Sequence, residues 1–127
     1  MDKMAMKNEK LTQDEYDALD EVKRGLKAGE RVSARVGRNT KRLTGIKLFT
    51  IAKNGRISLT DKGEEVLFLR RCILALRAVE ADPSSPVDAD VALFLGKKSH
   101  IVPRAEGGFD ISDKGRESLA DITNQGL

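Results

Sequence analysis

The segment Thr60-Asp61-Lys62-Gly63 returns 52 residues later as Ser112-Asp113-Lys114-Gly115. The match extends beyond it. Across residues 55–69 and 107–121, six of fifteen positions are identical: Gly55/Gly107, Asp61/Asp113, Lys62/Lys114, Gly63/Gly115, Glu65/Glu117 and Leu67/Leu119. Ile57/Phe109, Leu59/Ile111 and Thr60/Ser112 keep their type. Upstream, an offset of 51 pairs Val36 with Val87, Leu43 with Phe94 and Gly45 with Gly96. A recurring pattern in a chain of 127 residues leaves room for two copies of one small unit and little else. The expected unit is helix, helix, hairpin, helix start.

Local signals fill in that order. Thr12 and Glu15 have capping-box spacing, and Tyr16, Leu19, Val22 and Leu26 recur at helical spacing, predicting a helix over residues 13–28 that Gly29 stops. A second helix is expected over 30–43, with Val32, Val36 and Leu43 toward the core and Gly37 as an interruption. Asn54-Gly55 between β-prone runs at 47–52 and 56–59 predicts a two-stranded hairpin, because both residues tolerate positive φ. Thr60 and Asp61 cap a widely apolar helix to residue 79, the expected spine of the fold. After Asp82-Pro83-Ser84-Ser85-Pro86, Ser85 as cap and Pro86 as first helical residue predict a helix to residue 95. A second hairpin (99–104 and 109–112) and a last helix, capped by Asp113 and left at Gly126, complete the chain.

The run Ile57-Ser58-Leu59-Thr60-Asp61-Lys62-Gly63-Glu64-Glu65-Val66 resembles the strand-to-helix junction of winged helix-turn-helix regulators, where a Leu-Thr-x-x-Gly step leads from the wing into a helix. Ile111-Ser112-Asp113-Lys114-Gly115 is a fainter copy. The resemblance implies an α+β, mainly helical protein: two degenerate winged-helix-like units, each of helices plus a β-hairpin, sharing a central helix. The expected boundaries are a mobile N-terminal arm at 1–10, a basic unit at 11–65 and a second, acidic or neutral unit at 66–127, in one compact domain overall.

Charge is sorted along the chain. Between residues 22 and 60 stand eleven bases and one acid, Glu30, whereas the remainder holds 12 bases and 19 acids. That regional excess of ten points to a polyanion. Arg31, Arg35, Arg38 and Arg42, at steps of four, three and four, form one stripe on a helix, with Lys41 beside it. A planar guanidinium donates two hydrogen bonds to phosphate at once. Asn39 and Thr40 are expected to donate to phosphate or a base edge, and Lys53 and Arg56 to touch the backbone from the hairpin turn. The expected partner is duplex DNA, for a small regulator or accessory factor. The alternative is a protein-interaction module, such as an inhibitor or adaptor encoded by a mobile element, using its basic face on an acidic partner; a homodimer is a further expectation. Pairing of the stripe with acids of the first helix would favour that alternative. The second unit, with a net charge of −2 over residues 74–112, is poorly placed to grip DNA.

Other functions are expected to be absent. One cysteine forms no internal disulfide, and one cysteine with one histidine builds no zinc site of such ligands. No uncharged stretch exceeds six residues, against the ~20 apolar residues of a membrane-spanning helix. Residues 1–10, MDKMAMKNEK, contain no leader-like apolar segment, so a cytoplasmic protein is expected. His100 reads as a strand residue partly facing solvent, Cys72 as a buried inert thiol, and Asp88 and Asp90 as acids at a helix start. Phe94, Leu95, Ile101, Val102 and Phe109 read as core. No nucleophile, base and oxyanion site come together, so the expected protein is not an enzyme and needs no cofactor or metal.

Overall fold

Five helices and two antiparallel hairpins, α+β and mainly helical, make up the computed structural model, which describes residues 10–25 and 32–126. In chain order they are α1 (Gln13–Arg24), α2 (Ala34–Gly45), β1 (Phe49–Ile51), β2 (Ile57–Leu59), α3 (Asp61–Ala81), α4 (Ala89–Lys97), β3 (Ile101–Pro103), β4 (Phe109–Ile111) and α5 (Asp113–Asn124). Phe49 pairs with Leu59 and Ile51 with Ile57; Ile101 pairs with Ile111 and Pro103 with Phe109. The expected mobile arm falls almost wholly on residues outside the described ones.

The chain forms two compact units, Leu11–Leu67 and a second comprising Lys10 and residues 68–126, with α3 running through the boundary. Each has its own apolar core. Ala18, Leu19, Val22, Val36, Leu43, Leu48, Phe49 and Leu67 fill the first. Leu69, Cys72, Ile73, Leu76, Val79, Val91, Leu95, Ile101, Ile111, Leu119 and Ile122 fill the second. The T-shaped pair Phe68–Phe94 packs against that second core, with ring centroids 5.3 Å apart.

The repeat is carried in the hydrogen bonds, residue for residue. The Thr60 amide donates to the Leu48 carbonyl (3.0 Å), and the Ser112 amide to that of His100 (2.9 Å). The Thr60 hydroxyl donates to the Lys47 carbonyl (2.6 Å) and accepts from the Gly63 amide (3.0 Å). The Ser112 hydroxyl does the same with Ser99 (2.5 Å) and Gly115 (3.0 Å). Only a side chain that both donates and accepts can tie the preceding loop to the helix start, hence serine or threonine at both sites. Lys47 and Ser99 share a positive φ, 65° and 61°. A Cβ on Gly63 would overlap the Leu48 carbonyl oxygen, and one on Gly115 that of His100. Close backbone approach therefore dictates the repeated glycine.

Both hairpins turn alike. The Gly55 amide donates to Ala52 (2.8 Å) and that of Gly107 to Arg104 (3.1 Å), with φ of 85° and 98° at the glycines. This is the three-residue loop with a left-handed final residue, in which Lys53 joins Asn54-Gly55 in the turn of the expected hairpin. Asn54 keeps a negative φ, and its side chain accepts from the Arg56 amide at 3.0 Å.

The structure corrects several further expectations. The offset stays at 52 upstream, because the Leu48 amide bonds to Leu43 as the His100 amide bonds to Leu95, both at 2.9 Å. Leu43 therefore corresponds to Leu95, not Phe94. The first helix ends at Arg24, where Gly25 caps it at a φ of 85°, four residues before the expected end; the expected stop at Gly29 lies outside the described residues. The second helix begins after Ser33 and runs unbroken through Gly37, leaving Val32 40% exposed. α4 starts at Ala89, not Pro86, because Ser85 is spent elsewhere: its hydroxyl donates to the Ala78 carbonyl of α3 at 3.0 Å. Pro83 is held too, its carbonyl accepting from the Phe109 amide at 2.9 Å. Ser112, not Asp113, caps α5. His100 is fully buried, bonded through Nε2 to the Ser118 hydroxyl at 2.7 Å, because it takes the core position that Leu48 holds in the first unit. Val102 is 53% exposed because alternation turns it away from the core-facing Ile101.

Candidate nucleic-acid interface

Ser33 starts α2, its hydroxyl accepting from the Val36 amide at 3.2 Å and donating to the Glu21 carboxylate. Val36 and Leu43, seven residues apart, are buried and hold one side of α2 in the core. That anchoring fixes the direction of the neighbouring stripe, and its arginines meet α1. Arg38 grips Asp14 with two parallel bonds, Nε to Oδ2 at 2.9 Å and Nη2 to Oδ1 at 2.7 Å. Asn39 Nδ2 adds a third bond to Asp14 at 2.7 Å. Arg42 Nε donates to Glu15 Oε2 at 2.5 Å. Arg35 makes looser ion pairs with Asp14 (3.5 Å) and Glu21 (3.8 Å).

The titration directions agree with this geometry. Hydrogen bonds from Arg38, then Asn39, hold the Asp14 carboxyl down at about 2. Burial pushes Glu15 upward, but the Thr12 amide and the Arg42 guanidinium outweigh it and leave that carboxyl below its ordinary value. Both acids therefore carry full charge at neutral pH. Nor can α1 easily lift off the stripe, since burial of Leu19 and Val22 alone anchors it by about 3–6 kcal/mol.

The structure thus brings Arg35, Arg38, Asn39 and Arg42 together, but against carboxylates rather than on an open basic surface. Thr40 is also engaged, its hydroxyl donating to the Val36 carbonyl at 2.7 Å. Arg31 lies outside the described residues. The expected stripe is therefore half right: the spacing aligns three of its arginines, and the partner they meet is internal. Asp14 and Glu15 were legible as acids in the first turn of α1, whereas Glu21 lies two turns on; Asp14 and Glu21 stand seven residues apart, on one face beside the buried Glu15, Ala18, Leu19 and Val22.

Lys41, Lys53 and Arg56 are different, and Lys47, which the stripe reading passed over, joins them. All four are exposed, and among the described residues none has a carboxylate partner. Residues 41–60 contain no acid at all. The corresponding hairpin of the second unit is self-neutralised: Arg104 pairs with Glu106 at 2.5 Å and Asp110 at 3.6 Å.

No protein-family model, curated protein or solved structure matches this chain. Among the described residues no group of three or more His, Cys, Asp or Glu side chains could hold a metal ion, and no helix is long and apolar enough to cross a membrane.

Proposed function

We propose that this chain is a non-catalytic nucleic-acid-binding protein whose first hairpin and the adjoining end of α2 grip the phosphate backbone of duplex DNA. The observation that carries the reading is the contrast between two copies of one hairpin. The first presents Lys47, Lys53 and Arg56, with Lys41 from α2, and no acid between residues 41 and 60; the second ties its arginine to its own carboxylates. Unpartnered surface cations on one copy of a repeated element raise the local potential without stabilising the fold, which suits a polyanion ligand. The resemblance to a wing supports the same element.

A second reading has its own support. With Arg35, Arg38 and Arg42 already paired to α1, fewer cations remain for phosphate, which favours a docking module for an acidic protein.

Fluorescence anisotropy with a mixed-sequence duplex, titrated at several salt concentrations, separates the two. Four phosphate contacts give a slope of log affinity against log salt of about −3.6. Lys53→Ala/Arg56→Ala should reduce it by about 2, while Arg38→Ala should leave it unchanged. Absence of binding at low salt, or an unaltered slope in the hairpin variant, would sink the DNA reading.

A further inference from the structure

Ile51 ends β1 with 48% of its surface exposed, whereas Phe49, two residues earlier, is 2% exposed. Strand alternation puts both on one face of the hairpin. The hairpin therefore reaches past the edge of the first unit's core and carries Ile51 out with it. Ile57, the cross-strand partner of Ile51, is partly buried against that core.

A single exposed isoleucine is ordinary on a protein surface. This one is set apart by its neighbours. Lys53 stands two residues on, and Arg56 immediately precedes Ile57, where the Ala52 amide donates to the Arg56 carbonyl at 2.9 Å. Both cations are exposed, and residues 41–60 hold no acid. In the second hairpin Pro103 takes the place of Ile51, and Arg104 beside it is held by Glu106 and Asp110.

Given the DNA reading, on which this inference rests, we propose that Ile51 packs on the sugars of the bound backbone and makes the first hairpin select deoxyribose over ribose. Along a nucleic-acid backbone a sugar stands between each phosphate and the next. Cations that draw the hairpin onto phosphates therefore bring the neighbouring isoleucine onto sugars. In DNA the C2′ carbon is a methylene, and covering it removes apolar surface from water on both sides. In RNA the same carbon bears a hydroxyl that both donates and accepts. Under an aliphatic side chain that hydroxyl loses its water and gains no partner, which is unfavourable. Lys53 and Arg56 cannot draw this distinction, because the phosphates of the two polymers are alike. Selection comes instead from a neighbour that carries no charge.

The test compares wild type, Ile51→Thr and Ile51→Val on a DNA duplex and an RNA duplex of the same sequence, by fluorescence anisotropy at several salt concentrations. Both replacements keep a β-branched side chain at a half-exposed strand position, and circular dichroism with urea denaturation checks that the fold is kept. Wild type is expected to favour DNA about tenfold. Ile51→Thr should weaken DNA binding about fivefold and leave RNA binding unchanged, narrowing the preference to about twofold. Its slope of log affinity against log salt should match that of wild type, since no ion contact is lost. Ile51→Val should keep the preference to within about a factor of two. Duplex shape also differs between the polymers, but it is the same for every variant, so the change in preference isolates Ile51. Val102→Thr, an exposed position on the hairpin whose arginine is paired, serves as the control and should change neither affinity. A DNA-to-RNA ratio that is the same in Ile51→Thr as in wild type overturns the proposal and leaves the DNA reading standing, and so does a wild type that binds both duplexes equally. A wild type that binds neither duplex at low salt overturns both.

Discussion

Replacing Arg42 with alanine isolates the most buried ionic contact of the first unit. Glu15 is only 5% exposed in its side chain, whereas Arg42 is 50% exposed. The two partners are therefore unequal: without Glu15 the guanidinium is hydrated, but without Arg42 the carboxylate stays in the core with the Thr12 amide (2.8 Å) as its remaining support. Breaking a buried pair costs about 3–5 kcal/mol, and a charge-assisted hydrogen bond is worth about 1.5–3; the exposure of Arg42 puts Arg42→Ala near about 2–3 kcal/mol at pH 7. The pH dependence carries the sign. In the wild type the folded-state Glu15 carboxyl lies below its ordinary value, so its stabilisation is complete above the unfolded-state pKa of about 4.3 and fades as pH falls through the lower folded value. In Arg42→Ala, burial is opposed by the Thr12 hydrogen bonds alone, so the folded carboxyl lies higher than in the wild type. The variant is then penalised at pH 7 and relieved as Glu15 takes up a proton, so the gap from wild type should close below about pH 4. Urea denaturation at pH 7 and pH 3.5 measures it. The second unit supplies a control, since it has Leu69 and Phe94 at the corresponding positions: Glu15→Leu/Arg42→Phe should be neutral or more stable by about 1–4 kcal/mol. A gap for Arg42→Ala that is the same at both pH values would refute the reasoning.

The repeated glycines make a paired prediction. Gly63→Ala and Gly115→Ala should each destabilise by about 1–3 kcal/mol through overlap with a carbonyl, whereas Gly37→Ala, with open space around it inside α2, should stabilise by up to about 1 kcal/mol. Chemical denaturation ranks them, and a neutral result at both 63 and 115 contradicts the close approach. Burial first of all pushes the Cys72 thiol up to about 12, so a disulfide reagent should label it only through unfolding, at a rate that rises with denaturant. Labelling at the rate of a free thiol in native buffer would show that the site is open.

Much of this protein is legible in one dimension because its strongest signals are local. A hydroxyl three residues before a glycine caps a helix whatever lies around it, and α1, α3, α5 and both hairpins follow from such patterns. The corrections cluster where a residue with a good local role is claimed by a distant partner. Ser85 caps nothing because the end of α3 needs its hydroxyl, and His100 is buried because a core position had to be filled. The arginine spacing predicted a face, and that face exists; which way it points depends on Val36 and Leu43, whose burial turns Arg35, Arg38 and Arg42 onto the acids of α1. Sequence periodicity specifies the angle between side chains on one helix, a property of the helix alone. Whether a cation meets solvent or a carboxylate is a property of two helices, and only their packing decides it.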